Sequence, residues 1–374
     1  MTTKPALGVM ALYINSKKQF DERSYLKNLM IQGEKMGMKI FLFSPENVDE
    51  KNKRIYAYFY NKTKSKWIRK WTDFPNIIFD RCRYQATSRF KQLKRFREKN
   101  PRIIYLNRPL SNKWIVHEKL SENNSVKEFL PNSKLITKLD DLLQFTNRSK
   151  ETFFKPINGT GGAGILKIQK TKDQKYLIQG RKHNRKIIPK QLVNKSQLLG
   201  LCKNLNAKKQ YMAQQGIDIK LDSGSVHDYR LLIQKNNIGE WVVTGCAGRI
   251  GAKGSVTSNL HGGGYAVPAD RLLKSWFKEH QIKSIKQNME QLSYAVVTEL
   301  ESQNYELCEL ALDIAVDRSG KIWLLEVNPK PARKVFLKID EEETYIKAVV
   351  RPLEYALWLY KNGNSPIGAI RKRK

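Results

Sequence analysis

Asp313, Glu326 and Asn328 lie in a stretch built otherwise mostly of Leu, Ile, Val, Ala and Trp, "LCELALDIAVDRSGKIWLLEVNPKP" (307–331). "DRSG" predicts a hairpin with a two-residue loop, which places Asp313 opposite Leu324 and Glu326 two positions further along the same face. Asn328 follows Glu326 at i+2, again on that face. Carboxylates in an apolar run are costly unless something offsets their charge. Two acids and an amide oxygen suit Mg²⁺, with Mn²⁺ as the alternative, the shell being completed by phosphate and water oxygens. Alternation onto a wet sheet face would produce the same pattern without a metal.

A second stretch able to do chemistry is "FFKPINGTGGAGI" (153–165), where Lys155 ends an apolar segment and four glycines follow. It is not a Walker A loop, because Ile165-Leu166 stands where Lys-Ser/Thr is required. A Rossmann turn is excluded as well, since "GILKIQK" reads as a strand and not as a helix. A glycine hairpin remains, with backbone N–H groups that either close over phosphates or merely flex.

The elements that must position these residues are legible in outline. "LGVMALYI" (7–14), "MKIFLFSPENV" (38–48) and "NIIFDRCRY" (76–84) read as strands, with a helix-spaced run at 24–37 between the first two. That order predicts parallel strands in an α/β unit. "RIIYLNRPLSNKW" (102–114) reads as strand, turn and helix start, with Ser111 or Asn112 as N-cap. "QYMAQQGIDI" (210–219) reads as a strand, 229–251 as two strands joined at Asn236-Asn237, and 282–303 and 343–361 as helices.

The chain has 374 residues, enough for two or three domains, and 40% of it is apolar. No stretch approaches the ~20 apolar residues that span a bilayer. Cys82, Cys202, Cys246 and Cys308 form no CxxC pair and the five histidines form no HExxH, which argues against zinc and disulfide frameworks. A reduced, cytoplasmic protein is the expectation. Sixty-nine Lys and Arg against thirty-five Asp and Glu give a formal charge of +34. Residues 51–70 hold eight basic residues and no acid, and 181–190 hold five and none. Such a field attracts anions: an acidic polypeptide, nucleic acid or an anionic surface.

The order of these features resembles the ATP-grasp superfamily over roughly residues 110–335. It runs from a lysine at a helix start through a strand lysine, a glycine hairpin and a hinge strand to a hairpin with two carboxylates and an amide. "SNLHGGG" (258–264) is similar to the "SNLHxGG" signature of ribosomal-protein glutamate ligases. The pattern "LGVMALYI … FDRCRY … NKWIVHEKL … FFKPINGTGGAGI" more closely resembles the YheC/YheD-type ATP-grasp proteins, which are associated with spore coats.

The resemblance implies a mixed α/β chain with an ATP-grasp fold. An N-terminal α/β domain (1–110) would precede a small subdomain with the glycine loop (111–210) and a C-terminal subdomain with the metal site (211–365), followed by a basic tail (366–374). It implies that Lys113 and Lys155 contact phosphates under a loop of Gly159, Thr160, Gly161 and Gly162. Gln214, Gln215, Gly216 and Ile217 would line the adenine, with Gln214 or its neighbour where an acid is usual. Asp228 matches the family's Asp before "IR", and Asp313, Glu326 and Asn328 match the metal ligands. Arg230, Arg249, Asn259 and His261 match the segment around the phosphate and acyl group. Two expected arginines are missing, since Ala311 and Thr257 stand in their places. Arg249 is then the first candidate to steady a tetrahedral intermediate, and Arg230 the second.

The chemistry implied is ATP-dependent joining of a carboxylate to an amine through an acylphosphate, on an acidic peptide or protein acceptor. The competing class is a non-catalytic basic protein coating nucleic acid or a spore surface on an ATP-grasp scaffold. Aromatics interleave the basic residues of 54–71, as a single-strand binder would require.

Overall fold

The computed structural model describes residues 4–83, 87–108, 110–159, 161–206 and 210–362, and for His261 the backbone alone. Thr160 and the basic tail at 366–374 lie outside the described residues.

Among the described residues, eighteen strands form three sheets. The first contains β1 (Ala6–Met10), β2 (Lys39–Phe43), β3 (Val48–Asp49), β4 (Arg54–Asn61), β5 (Lys66–Asp73), β6 (Ile77–Asp80) and β7 (Ile104–Leu106). β1 runs parallel to β2 and β6, and β6 parallel to β7, as expected of strands joined through helices. Helices α1 (Arg23–Lys35) and α2 (Ser88–Lys99) make two of these connections. β4 and β5 form a long antiparallel hairpin at the sheet's edge. That hairpin and α2 fall in the basic stretches, whose charge hides their apolar periodicity.

The short helices α3 (Lys113–Ser121) and α4 (Asn124–Lys127) lead into the second sheet. It contains β8 (Ser133–Ile136), β9 (Thr152–Pro156), β10 (Leu166–Lys170), β11 (Tyr176–Arg181), β12 (Ile187–Val193) and β13 (Tyr211–Gln215), in the order β12-β11-β10-β9-β13-β8. Two helices, α5 (Leu139–Arg148) and α6 (Lys195–Asn206), supply Leu142, Leu143 and Leu198 to its core. β9 and β10 flank the glycine loop and pair antiparallel, Phe154 against Leu166.

The third sheet runs β16-β15-β14-β17-β18: β14 (His227–Lys235), β15 (Trp241–Ile250), β16 (Tyr265–Pro268), β17 (Glu309–Val316) and β18 (Ile322–Asn328). Tyr229, Leu231, Leu312 and Ile314 join α7 (Ala269–Leu273) and α8 (Glu279–Ser302) in one core on one face. Residues of the other parity (Asp228 and Arg230, Arg249, Asp313, Glu326 and Asn328) project from the opposite face. Beyond the short α9 (Lys334–Leu337), helix α10 (Glu342–Lys361) shares a core with α1, so the first and third sheets are tied together.

The β17–β18 hairpin departs from the two-residue loop read from sequence. Asp317 N–H donates to Lys321 O (3.0 Å), so three residues form the loop, with Gly320 at φ 87°. This is the left-handed region glycine occupies at no steric cost. A bulge then interrupts the ladder: Ile314 faces Leu324 but Asp313 faces Glu326. Leu325 is the extra residue, and Asp313 and Glu326 stand directly across from each other, not on a diagonal.

Candidate active site

β14 and β15 set Asp228 across from Arg249, and β14 and β17 set Arg230 across from Asp313. The Arg249 guanidinium donates to both Asp228 carboxylate oxygens (2.7 and 2.5 Å) and reaches Asp313 Oδ2 at 3.0 Å. Arg230 donates to Asp313 Oδ1 from Nε (3.0 Å) and to both Asp313 oxygens from Nη2 (2.8 and 2.9 Å). Burial pushes the Asp313 carboxyl upward, but the charges of Arg230 and Arg249 win and hold its pKa below the usual range. The Arg249 pKa is moved further up: burial opposes its charge, and Asp228 and Asp313 more than offset that. Arg249, 3% exposed, is thus fixed between two carboxylates, while Arg230 lies nearer the open side.

The lysines approach from the other elements. Asn112 caps α3, accepting from Trp114 N–H (3.0 Å) and Ile115 N–H (3.1 Å), and Lys113 begins the helix. Lys113 N–H donates to Ile157 O (3.0 Å), tying this turn to the start of the glycine loop. Lys113 Nζ lies 3.5 Å from Glu326 Oε1. Lys155, on β9, is buried and donates to Gln214 Oε1 (2.6 Å). Burial lowers the Lys155 pKa, Lys113 lowers it further, and Glu326 and Asp313 oppose them; it settles at about 8.

The glycine loop faces the 257–264 segment. Gly161, Gly162 and Gly164 have φ of 66°, 72° and 75°. A Cβ on Gly162 would sit 3.1 Å from Asn259 Nδ2, so Asn259 packs directly on the loop. Gly159 is half-buried beside Pro156. Gln214 turns its side chain to Lys155 and Ser133, whereas Gln215 N–H bonds Asn132 O (2.8 Å) and Gly216 N–H bonds Glu151 O (2.8 Å). Ile217 follows, half-buried, where the strand has ended.

Some neighbours were not singled out by sequence. His117 lies one helical turn after Lys113; burial and then Lys155 push its pKa down to about 4, so it is neutral at physiological pH. The i, i+4 spacing was its only signal. The Arg181 guanidinium, from the end of β11, occupies the space a Cβ on Gly262 would need, and Arg185, from the β11–β12 turn, packs beside Gly161; no local pattern connects either to the glycine loops.

Comparison with known proteins identifies the constellation's family. The family profile described as YheC/D-like ATP-grasp matches residues 102–359. The chain belongs to this family. It is 28% identical to the endospore coat-associated protein YheC of Bacillus subtilis (strain 168) over 90% of this chain and 91% of that one. It is 24% identical to YheD of the same organism over 95% and 79%. Its fold is similar to D-alanyl-alanine synthetase A from Vibrio cholerae (TM-score 0.54, 12% identity, 94% of this chain, 99% of that one). A similar likeness holds to the macrocyclase MdnC bound with the precursor peptide MdnA from Microcystis aeruginosa (0.52, 12%, 92% and 98%). The fold is ATP-grasp, as the family and these neighbours agree.

Proteins of this fold imply a divalent cation, and the donor set offers a test. Asp313 and Glu326 share a face, and Asn328 stands two residues from Glu326. The side chains of Asp313, Glu326 and Asn328 offer two carboxylates and an amide oxygen on one sheet face, a donor set that fits an oxygen-ligated cation, and the buried Asn328 Nδ2, which finds no acceptor, is a donor suited to an anion beside it.

Proposed function

We propose that this chain is an ATP- and Mg²⁺-dependent carboxylate–amine ligase that forms an amide bond through an acylphosphate. The carrying observation is the meeting of Lys113 with Glu326, and of Lys155 with the field of Glu326 and Asp313, where the backbone of Lys113 is tied to the start of the glycine loop. Cations for a polyphosphate and anions for its counter-ion thus converge on one face. In this reading residues 1–110, 111–210 and 211–365 are the N-terminal domain and the two ATP-grasp subdomains, and Gln215 to Ile217 border the base.

Asp313, Glu326 and Asn328 would hold Mg²⁺, which when bound offsets charge on the phosphates. Lys155 and Lys113 orient the polyphosphate, and Gly159 to Gly162 shield it from water. The substrate carboxylate attacks the γ-phosphorus and ADP leaves; an amine then displaces phosphate from the acylphosphate. Arg249 acts as a positioning residue, holding Asp228 and Asp313 in register. Because Arg249 is 3% exposed and Arg230 17%, we assign the steadying of an oxyanion to Arg230, the second candidate from sequence, ahead of Arg249. Asn259 supports the glycine loop, and His261 belongs to the same segment.

The acceptor we assign is an acidic peptide or protein, in keeping with the +34 charge and with a fold neighbour whose structure holds a precursor peptide. Spore-coat association belongs to the same reading, from the names of YheC and YheD. The test is ADP release from Mg²⁺-ATP with an amino-acid mixture and an acidic peptide, read beside mass gain of the peptide. ADP without an amide product would sink the ligase assignment.

A further inference from the structure

β5 pairs with β4 along all eight of its residues and with no other strand among the described residues, so its outer backbone edge is open. The hairpin carries Lys62, Lys64, Lys66, Arg69 and Lys70 and no acid before Asp73. Glu50, the nearest preceding acid, is taken by Lys53. Edge strands often carry lysines that merely discourage pairing. Arg69 does not fit that role. It is half-buried, its guanidinium lies 4.1 Å from the Tyr56 ring centre and 4.6 Å from that of Tyr58, and its Nε is buried with no acceptor. Its Nη2 donates to Tyr56 O (3.3 Å) and it makes no ion pair with a carboxylate among the described residues, so the two rings hold it as a fixed, uncompensated positive charge on this hairpin.

The same face argues for the class of partner. Tyr60 meets Trp67 edge-on (5.3 Å between centres) and Tyr56 packs on Trp71 (5.2 Å), and the guanidiniums of Arg54 and Arg69 lie over the Trp71, Tyr56 and Tyr58 rings, so cations already occupy faces of these rings although Trp71 stays 47% exposed. Stacking of nucleic-acid bases needs free aromatic faces. An open strand edge instead offers N–H and C=O groups to a second extended chain, with lysines to meet alternate carboxylates.

We propose that the outer edge of β5 docks an acidic peptide segment as an added strand, apart from the reacting site. β6, whose neighbour Arg81 reaches the loop after Asn328, lies four strand spacings away in the order β5-β4-β2-β1-β6, on the order of 20 Å. The edge would tether an acceptor while a distant part of it reacts. Its purpose rests on the ligase reading; the binding itself does not.

The test is fluorescence anisotropy on the full, nucleotide-free chain at low salt. The probes are an alternating Glu/Val peptide of about ten residues, the same peptide N-methylated at alternate backbone amides, and an oligo-dT of equal charge. The plain peptide should bind most tightly, with N-methylation weakening it about tenfold or more, because half its edge hydrogen bonds vanish. The Lys66→Glu/Lys70→Glu variant should lose a similar factor at unchanged melting temperature. Absent binding, tighter binding of oligo-dT, or indifference to N-methylation or to the charge reversal overturns the proposal. ADP release measured in parallel separates the cases: docking lost with ADP release intact sinks only the docking edge, and the converse sinks only the ligase.

Discussion

β17 carries two buried carboxylates four residues apart on one face, and their surroundings differ. Glu309 is closed in. Arg81 Nη1 donates to its Oε1 (2.7 Å), Arg333 and Gln234 donate to Oε2, and nothing of the side chain reaches solvent. Arg81 also pairs with Glu22 (2.7 Å) and donates to Pro331 O (2.9 Å). Asp313 has two arginines as well, but it faces Glu326, whose side chain is 29% exposed, and its neighbour Asn328 leaves an amide unpaired. One cluster is saturated by the protein; the other has room for a ligand. The closed cluster also serves the open one. Asn107, Arg83 (3.2 Å) and Arg81 donate to the successive carbonyls of Pro329, Lys330 and Pro331, fixing the segment that leaves Asn328.

The largest effect should come from breaking the closed cluster. Glu309→Gln leaves Arg81 and Arg333 buried with less counter-charge and should cost about 3–5 kcal/mol of stability, read by urea denaturation. Glu326→Gln, half open to water, should change stability by no more than about 0.5 kcal/mol. Yet it should weaken Mg²⁺-coupled ATP binding and ADP release on the order of 100-fold, about 2.7 kcal/mol. Calorimetry with and without Mg²⁺ checks it. Equal stability losses in the two variants would erase the distinction between the clusters.

The contrast explains what was legible in the sequence. Asp313, Glu326 and Asn328 could be placed on one face because strand alternation is local, and an apolar background makes charged residues conspicuous. The hairpin register departs from the expectation because Gly320 takes the left-handed position of a three-residue loop, with Asp317 Oδ1 accepting from Ser319 and Lys321 N–H, and because nothing in the residue types marks the bulge at Leu325. Lys155 and its glycines were visible for the same reason as the acids. The partners of Glu309 were not: Arg81 and Arg333 come from positions 228 residues before it and 24 after it, and no spacing rule joins them. Gln214 shows a subtler miss, since its position on the hinge strand was evident but its engagement with Lys155 depends on the β9–β13 register.

A smaller effect follows from the proton on Lys155. Its pKa of about 8 lies below its usual 10.5, so between those values the unfolded chain binds more protons and the free protein gains stability as pH rises. Nucleotide binding should run the other way. A polyphosphate requires the ammonium form, so ATP affinity should be level below pH 8 and fall up to about tenfold per unit above it. Lys155→Gln should lower affinity and remove that slope, as measured by ATP titration from pH 7 to 9.5. A slope that survives in the variant would move the titrating group elsewhere, for example to the open cluster itself.

The smallest effect tests whether the open cluster depends on how Lys113 is delivered to it. Asn112 satisfies the Trp114 and Ile115 amides at the first turn of α3. Asn112→Ala should cost about 1 kcal/mol of stability. Because Lys113 is the next residue and its ammonium stands 3.5 Å from Glu326, a frayed turn should also blur that position and weaken ATP binding a few-fold. Asn112→Asp keeps the cap and adds favourable charge at the helix start, so it should restore stability. If Asp restores stability and ATP affinity together, the cap orients the lysine. If Ala lowers stability while affinity holds, Lys113 reaches Glu326 without the first turn's help, and the tie from its backbone amide to Ile157 O is what holds it.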